Sequence, residues 1–276
     1  MVIEMSLVNK SFKEHLNKTL AKDIRYDMRK KDAFRDIKVE LGVATKAEGS
    51  CRVTMGNTVV IAGTKLSMEK PYPDRPEEGS FSVNTELLPL SSPDFESGPP
   101  SIDAIEISRV VDRGLREGKA VDFKKLLITS GEKAWTIFID VVSINNDGNL
   151  LDASALAALG ALLDTKYPKV DKDGIIDYKT PGDKRLEVDT MPILVTVCKQ
   201  GSNLFVDPLK AEEEFIEGRL SIAFLEDGTI CALQKGGDVP LTVEEIKTMC
   251  ALAAPKAVEL RKLFNKGDKG ATKKKR

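Results

Sequence analysis

The chain of 276 residues carries 42 basic against 43 acidic side chains, a formal charge of −1, with 41% hydrophobic and 31% charged residues. This length supports one large or two modest domains around a sizeable core. The balanced charge excludes a general pull towards nucleic acid, so any such contact must come from a local basic stripe, and the single histidine, His15 in the charged stretch KSFKEHLNK, excludes most histidine triads and zinc sites.

Residues 6–22 read as a helical arm, with Leu7, Phe12, Leu16 and Leu20 near helical spacing. The opening MVIEMSLVNKSFKEH lacks the basic start and unbroken apolar run of a signal peptide. No later stretch has the roughly 20 apolar residues of a membrane span, so a cytoplasmic protein is expected. After IRYDMRKKDAF come three extended runs, DIKVELGVA, SCRVTMG and NTVVIAGTKL, the last two joined at Gly56-Asn57 as a β meander. Between Lys70 and Pro100 the chain is rich in Pro, Gly, Ser and acids around one strand, SFSVNTELLPL. Within it KPYPDRPEE reads equally as a loop reaching RNA through Arg75 and as an ordinary interface loop.

Ser101 is placed to cap the helix IDAIEISRVVDRGLRE, and Gly118 to close it. FKKLLIT and KAWTIFIDVVSI follow as strands. The second is apolar on both faces, so it should be central and covered twice, with Trp135 in the core. Asp147-Gly148-Asn149 then runs into a small-residue helix, NLLDASALAALGALL, suited to close packing on a sheet. Amides at such a helix start favour an anion, yet Leu150 and Leu151 stand where a clamp is needed.

A polar excursion from Pro168 to Glu187 reads as a surface insertion. Strands PILVTVCKQ and NLFVD precede an acidic helix, KAEEEFIEG, whose Glu212, Glu213 and Glu214 read as a solvated face because consecutive carboxylates diverge. RLSIAFLEDGTICALQK is a hairpin turning at Asp227-Gly228, and a long helix runs from about Thr242 to Phe264. The end, NKGDKGATKKKR, is a basic tail. Cys51, Cys198, Cys231 and Cys250 are scattered among apolar neighbours without a paired motif, as reduced core residues. The pattern predicts an α+β fold of two β-rich βαβα-type halves: an arm over 1–24, a first domain over 25–190, a second over 191–264 and a tail over 265–276. Neither a metal nor a cofactor is implied.

Arg109, Arg113 and Arg116 fall at i, i+4 and i+7, in one narrow stripe. Guanidinium groups so spaced can grip successive phosphates of single-stranded RNA without reading bases. From spacing alone a solvated stripe paired with Glu106 and Asp112 is the better reading, since surface ion pairs are common and weak.

Several strings taken in order change that balance. AEGS at Ala47 to Ser50, the hairpin GNTVVIAGT, EISRVVDRGLR at Glu106 to Arg116, DGNLLDAS at Asp147 to Ser154 and GTICALQKGG resemble the ribonuclease PH family of phosphorolytic exoribonucleases, over roughly residues 25–260. AGTKL, NTELLPL and NLLDASALAALGALL are similar to the family's non-catalytic members in the archaeal RNA exosome. The resemblance implies a hexameric ring of three heterodimers with a catalytic ribonuclease PH-like partner, RNA-binding cap subunits, and Arg109, Arg113 and Arg116 along the RNA path.

It also marks what is missing. Active members have Gly-Gly-Thr-Arg where this chain has Gly148-Asn149-Leu150-Leu151, and two aspartates where it has Glu213 and Arg219. The expected function is therefore structural and RNA-binding support of 3′-to-5′ phosphorolysis. Alternatives are an active phosphorolytic exoribonuclease with another phosphate clamp, and a stand-alone RNA-binding module.

Overall fold

The structure, a computed structural model, describes residues 2–171 and 175–267. Residues 268–276 of the basic tail and the side chain of Leu7 lie outside the described residues. The N-terminal arm is helix α1 (Val2–Leu20), which buries Leu16 and Leu20 against Cys198 and Phe205 of the distant second sheet.

Strands β1 (Ile37–Leu41), β2 (Gly49–Met55) and β3 (Thr58–Glu69) form the expected antiparallel meander. Its tight turn is made by Gly56 at φ +57°, which costs a glycine nothing. Strand β4 (Ser80–Leu87) is followed by α2 (Ile102–Glu117), whose first turn is capped by Ser101 Oγ accepting from the Ala104 amide at 3.2 Å. The helix ends at Glu117 with Gly118 as its C-cap, as expected, and the left-handed turn falls on the next residue, Lys119 at φ +53°, with Lys119 and Ala120 N–H returning to the carbonyls of Arg116 and Leu115. Gly118, at φ −72°, is there for space, because a Cβ would stand 2.7 Å from Pro192 Cβ.

FKKLLIT is not one strand. Asp122 caps a 3-10 turn over Phe123–Leu126 through the Lys124 amide, and only Leu127–Thr129, β5, is extended. Strand β6 (Lys133–Asn145) is central, as expected, in a sheet ordered β1-β2-β3-β6-β4, with β4 parallel to it. Its second face is covered only at the start, where Ala134 and Thr136 are buried. Trp135, Ile137, Ile139 and Val141 are buried on one face, whereas Phe138, Val142 and Ile144 of the other are half-buried and flank the exposed Asp140. Helix α3 (Leu150–Asp164) packs on the buried face of β2 and β3. The approach is close enough that a Cβ on Gly160 would lie 2.4 Å from Cys51 Sγ.

The polar excursion makes its own hairpin, β7 (Lys166–Val170) with β8 (Ile176–Arg185). The second sheet is ordered β10-β9-β11-β12, from β9 (Ile193–Gln200), β10 (Asn203–Val206), β11 (Gly218–Phe224) and β12 (Ile230–Gly236). Here β9 is the doubly covered strand: all eight residues are buried, with α3 and α5 (Val243–Gly267) both against it. Thr242 starts α5 with a capping box, its Oγ1 accepting from the Glu245 amide while Glu245 Oε2 accepts from the Thr242 amide.

Between β10 and β11 the acidic helix shrinks to one turn, α4 (Lys210–Glu213). Its carboxylates are not a solvated face. Glu212 is fully buried against Arg25, and only Glu214 is exposed. A single apolar core spans both sheets, joining Val53, Ile137 and Leu159 to Ile193, Ile222 and Ala253. Among the described residues no helix is long and apolar enough to cross a membrane.

Candidate functional site

The loop before α3 is held from below by a buried polar hub. Gly148 sits at φ +90°, with its α-carbon so close to the 207–210 segment that a Cβ would meet Pro208 O at 2.4 Å. Its carbonyl accepts from Thr58 Oγ1 at 2.7 Å and Arg35 Nη2 at 3.1 Å. Arg35 also donates to Asp147 O and, through Nε and Nη2, to both oxygens of Asp207. Asp207 accepts from Arg29 Nη1 at 2.8 Å and Asn149 Nδ2 at 3.0 Å as well. Burial works against the Asp207 charge, but the hydrogen bonds and charge of Arg35, reinforced by Arg29, outweigh it and hold the carboxyl below its ordinary range. Arg25 completes the hub, donating to Val206 O, Asp207 O and the buried Glu212.

Asn149 begins α3 in the left-handed conformation, φ +58°. Its side chain does not cap the helix. It reaches Asp207 and the fully buried Asp152, whose Oδ2 also accepts from the Thr196 amide at 3.2 Å. Burial raises the Asp152 carboxyl to about 7, and its Oδ1 has no partner.

Where the helix start presents an anion cradle, the chain supplies its own anion. Glu213 Oε1 accepts from the Asn149 amide at 2.7 Å. Burial pushes the Glu213 carboxyl above its ordinary range, and that hydrogen bond offsets part of the rise. Above the cradle lies a cavity of about 230 Å³ lined by Leu150, Leu151, Thr196, Glu213 and Arg219. Two cations line it, and both are taken: Lys210 by Asp94 at 3.0 Å and Arg219 by Glu106 at 2.5 Å. Apolar Leu150 and Leu151 thus stand beside two cations whose charge is paired within the chain. Among the described residues no cluster suited to a metal ion is present.

The same Glu106 connects the cavity to α2. The stripe there is divided. Arg116 is spent internally, bound to both oxygens of Asp112 at 2.8 and 2.9 Å, donating to Phe81 O, and lying over the Phe81 and Phe123 rings. Arg109 and Arg113 are exposed, and among the described residues neither has an ion pair, because Glu106 and Asp112 are engaged elsewhere. They stand one turn apart, about 6 Å along the axis.

Two family models cover most of the chain: 3′ exoribonuclease family, domain 1, over residues 33–168, and domain 2 of the same family over residues 190–255. The chain belongs to the 3′ exoribonuclease family. Among its relatives, exosome complex component Rrp42 of Methanosarcina mazei is 46% identical over 92% of this chain and 94% of its own length. Its counterpart in Thermococcus onnurineus is 43% identical over 94% and 96%. A chain of the Archaeoglobus fulgidus exosome with RNA bound to the active site superposes with a TM-score of 0.86 at 39% identity, covering 94% of this chain and 99% of that one.

Within this family framework the structure brings Gly148, Asn149, Leu150, Leu151, Glu213 and Arg219 into one place, with Glu106 linking them to the α2 stripe. Sequence reasoning missed the hub of Arg25, Arg29, Arg35, Asp207 and Glu212 that fixes the loop. The available signal was the density of arginines in IRYDMRKKDAFRD, too dense for an ordinary turn beside a strand.

Proposed function

We propose that this chain is a non-catalytic, structural and RNA-binding subunit of a cytoplasmic exosome. In this reading it alternates with a catalytic ribonuclease PH-like partner as three heterodimers in a six-membered ring, beneath RNA-binding cap subunits. The identity and coverage of the Rrp42 relatives support the assembly. The observation that carries the non-catalytic part is the cavity itself: Glu213 occupies the cradle amide, and Arg219, where an acid is needed, is locked to Glu106.

Arg109 and Arg113 are the RNA-holding groups, since theirs are the guanidiniums of the stripe left without a carboxylate. They engage phosphates and keep the strand in register while the partner cuts, without selecting sequence. Arg116 supports them by fixing α2 to β4. The test is co-purification with a catalytic partner, a mass measurement, and RNA degradation with and without phosphate. Phosphate-dependent release of nucleoside diphosphates only by the mixture, at the mass of a hexamer, is the expected result. Activity of the pure chain alone, or a monomer that stays monomeric with the partner, overturns the reading.

A further inference from the structure

Segment 72–78 carries two exposed side chains of the kinds that bind single-stranded nucleic acid. Tyr72 is 66% exposed and the Arg75 side chain 62%. The backbone presenting them is stiff. Two successive turns, each with proline at its second position, close through Arg75 N to Tyr72 O at 2.9 Å and Glu78 N to Arg75 O at 3.3 Å. The segment is pinned at its C-terminal end, by Gly131 N to Pro76 O and by Gly79 N to Phe123 O, each 2.9 Å. An exposed aromatic on a pre-ordered loop loses little entropy on binding.

Beside Tyr72 opens a hollow of about 230 Å³, lined by Arg75, Gly79, Ser80, Phe123 and Arg116. Arg116 stands one turn beyond Arg113 on α2, so the hollow continues the line set by Arg109 and Arg113. Asp74 and Glu78 also face it. Two carboxylates repel a phosphate but not the π-face of a base, and Arg75 is only loosely engaged with Asp74, at 3.9 Å.

We propose that Tyr72 and this hollow form a stacking pocket for one unpaired nucleobase of the RNA strand whose phosphates lie on Arg109 and Arg113. The inference rests on the RNA-binding reading above. It adds a contact that is apolar and sequence-tolerant, so affinity gained there is insensitive to salt, in contrast to the arginine contacts.

The experiment uses the full chain, alone and in the ring with its catalytic partner, and single-stranded RNA carrying a photoreactive thiouridine at one position at a time. Tyr72→Ala should lower affinity at least roughly fivefold, with Tyr72→Phe close to wild type and the salt slope unchanged in both. Arg109→Ala with Arg113→Ala should lower the slope as well as the affinity. Crosslinking to Tyr72 should peak at one nucleotide position. Because Tyr72 is exposed, thermal melting should not move. If Tyr72→Ala binds like wild type while the arginine double variant loses binding, the stacking pocket is refuted and the RNA path stands. If the wild type binds no RNA even in the ring, both fall. If Tyr72→Ala blocks ring assembly in the absence of RNA, the loop is a protein contact and the proposal is overturned.

Discussion

Arg219 on β11 reaches across to α2, and its Nη2 lies 2.5 Å from Glu106 Oε2. The pair withdraws a carboxylate from a position three residues before Arg109, where it would otherwise be an i, i+3 partner. Arg219→Ala should therefore return Glu106 to the stripe and lower affinity for single-stranded RNA by roughly twofold, in proportion to a helix-surface ion pair. Filter binding at low and moderate salt checks this, with the difference shrinking as salt rises. Unchanged affinity at low salt would mean that Glu106 and the stripe are uncoupled.

Leu151→Arg should not turn the isolated chain into a phosphorolytic enzyme. Leu150 would still lack a hydroxyl, Arg219 would still replace an acid, and Glu213 would still hold the Asn149 amide. The measurement is nucleoside diphosphate release in phosphate buffer by protein free of any partner. Turnover above background by the single variant would show that one cation suffices.

Replacing both Arg109 and Arg113 by Ala in the assembled ring should weaken binding to all single-stranded RNAs alike. The slope of log affinity against log salt should fall by roughly 0.7 for each lost phosphate contact. Assembly should survive, because neither side chain is buried. Wild-type affinity and slope in a properly assembled double variant would reduce the stripe to a solvated helix face.

Asp152 should make the fold less stable as pH rises. Its folded carboxyl titrates at about 7, against an ordinary value of 3.8. The native state thus holds a proton that the unfolded chain releases first, so stability declines from about pH 4 and the loss is complete above pH 7. Asp152→Asn keeps an acceptor for the Thr196 and Asn149 donors and removes the buried charge. It should be more stable than wild type at pH 8, by roughly 1–4 kcal/mol, and nearly equal to it near pH 4. Denaturant titrations at the two pH values decide it, and a variant less stable at pH 8 would mean that the charge is compensated.

The parts of the fold written in short-range pattern were legible. The meander with Gly56, the Ser101 cap and the small-residue helix α3 all follow from spacing within a dozen residues. Strand β6 misled because an apolar sequence reports what a strand can bury, not what arrives to cover it, and on its second face Phe138, Val142 and Ile144 are left half-buried. The acidic run misled for the opposite reason. Glu212 looks solvated until Arg25, 187 residues away, is brought to it. At the site, the missing clamp could be read from Leu150 and Leu151, whereas the engagement of Glu213 and Arg219 depends on partners that only the tertiary fold supplies.

The pairing of Arg25 with Glu212 also sets a timetable. During synthesis the Arg25 guanidinium and the strand that follows it emerge long before the segment from Val206 to Glu212 that must enclose them. At about 5–20 residues per second the interval is roughly ten to forty seconds. Through that time the meander can assemble, but the chain ahead of it has no native place to settle, and α1 waits for Cys198 and Phe205. The residues of α1 are thus secured only after those of the second sheet have been made. A nascent chain stalled before Val206 should leave its N-terminal arm open to proteases and chaperones.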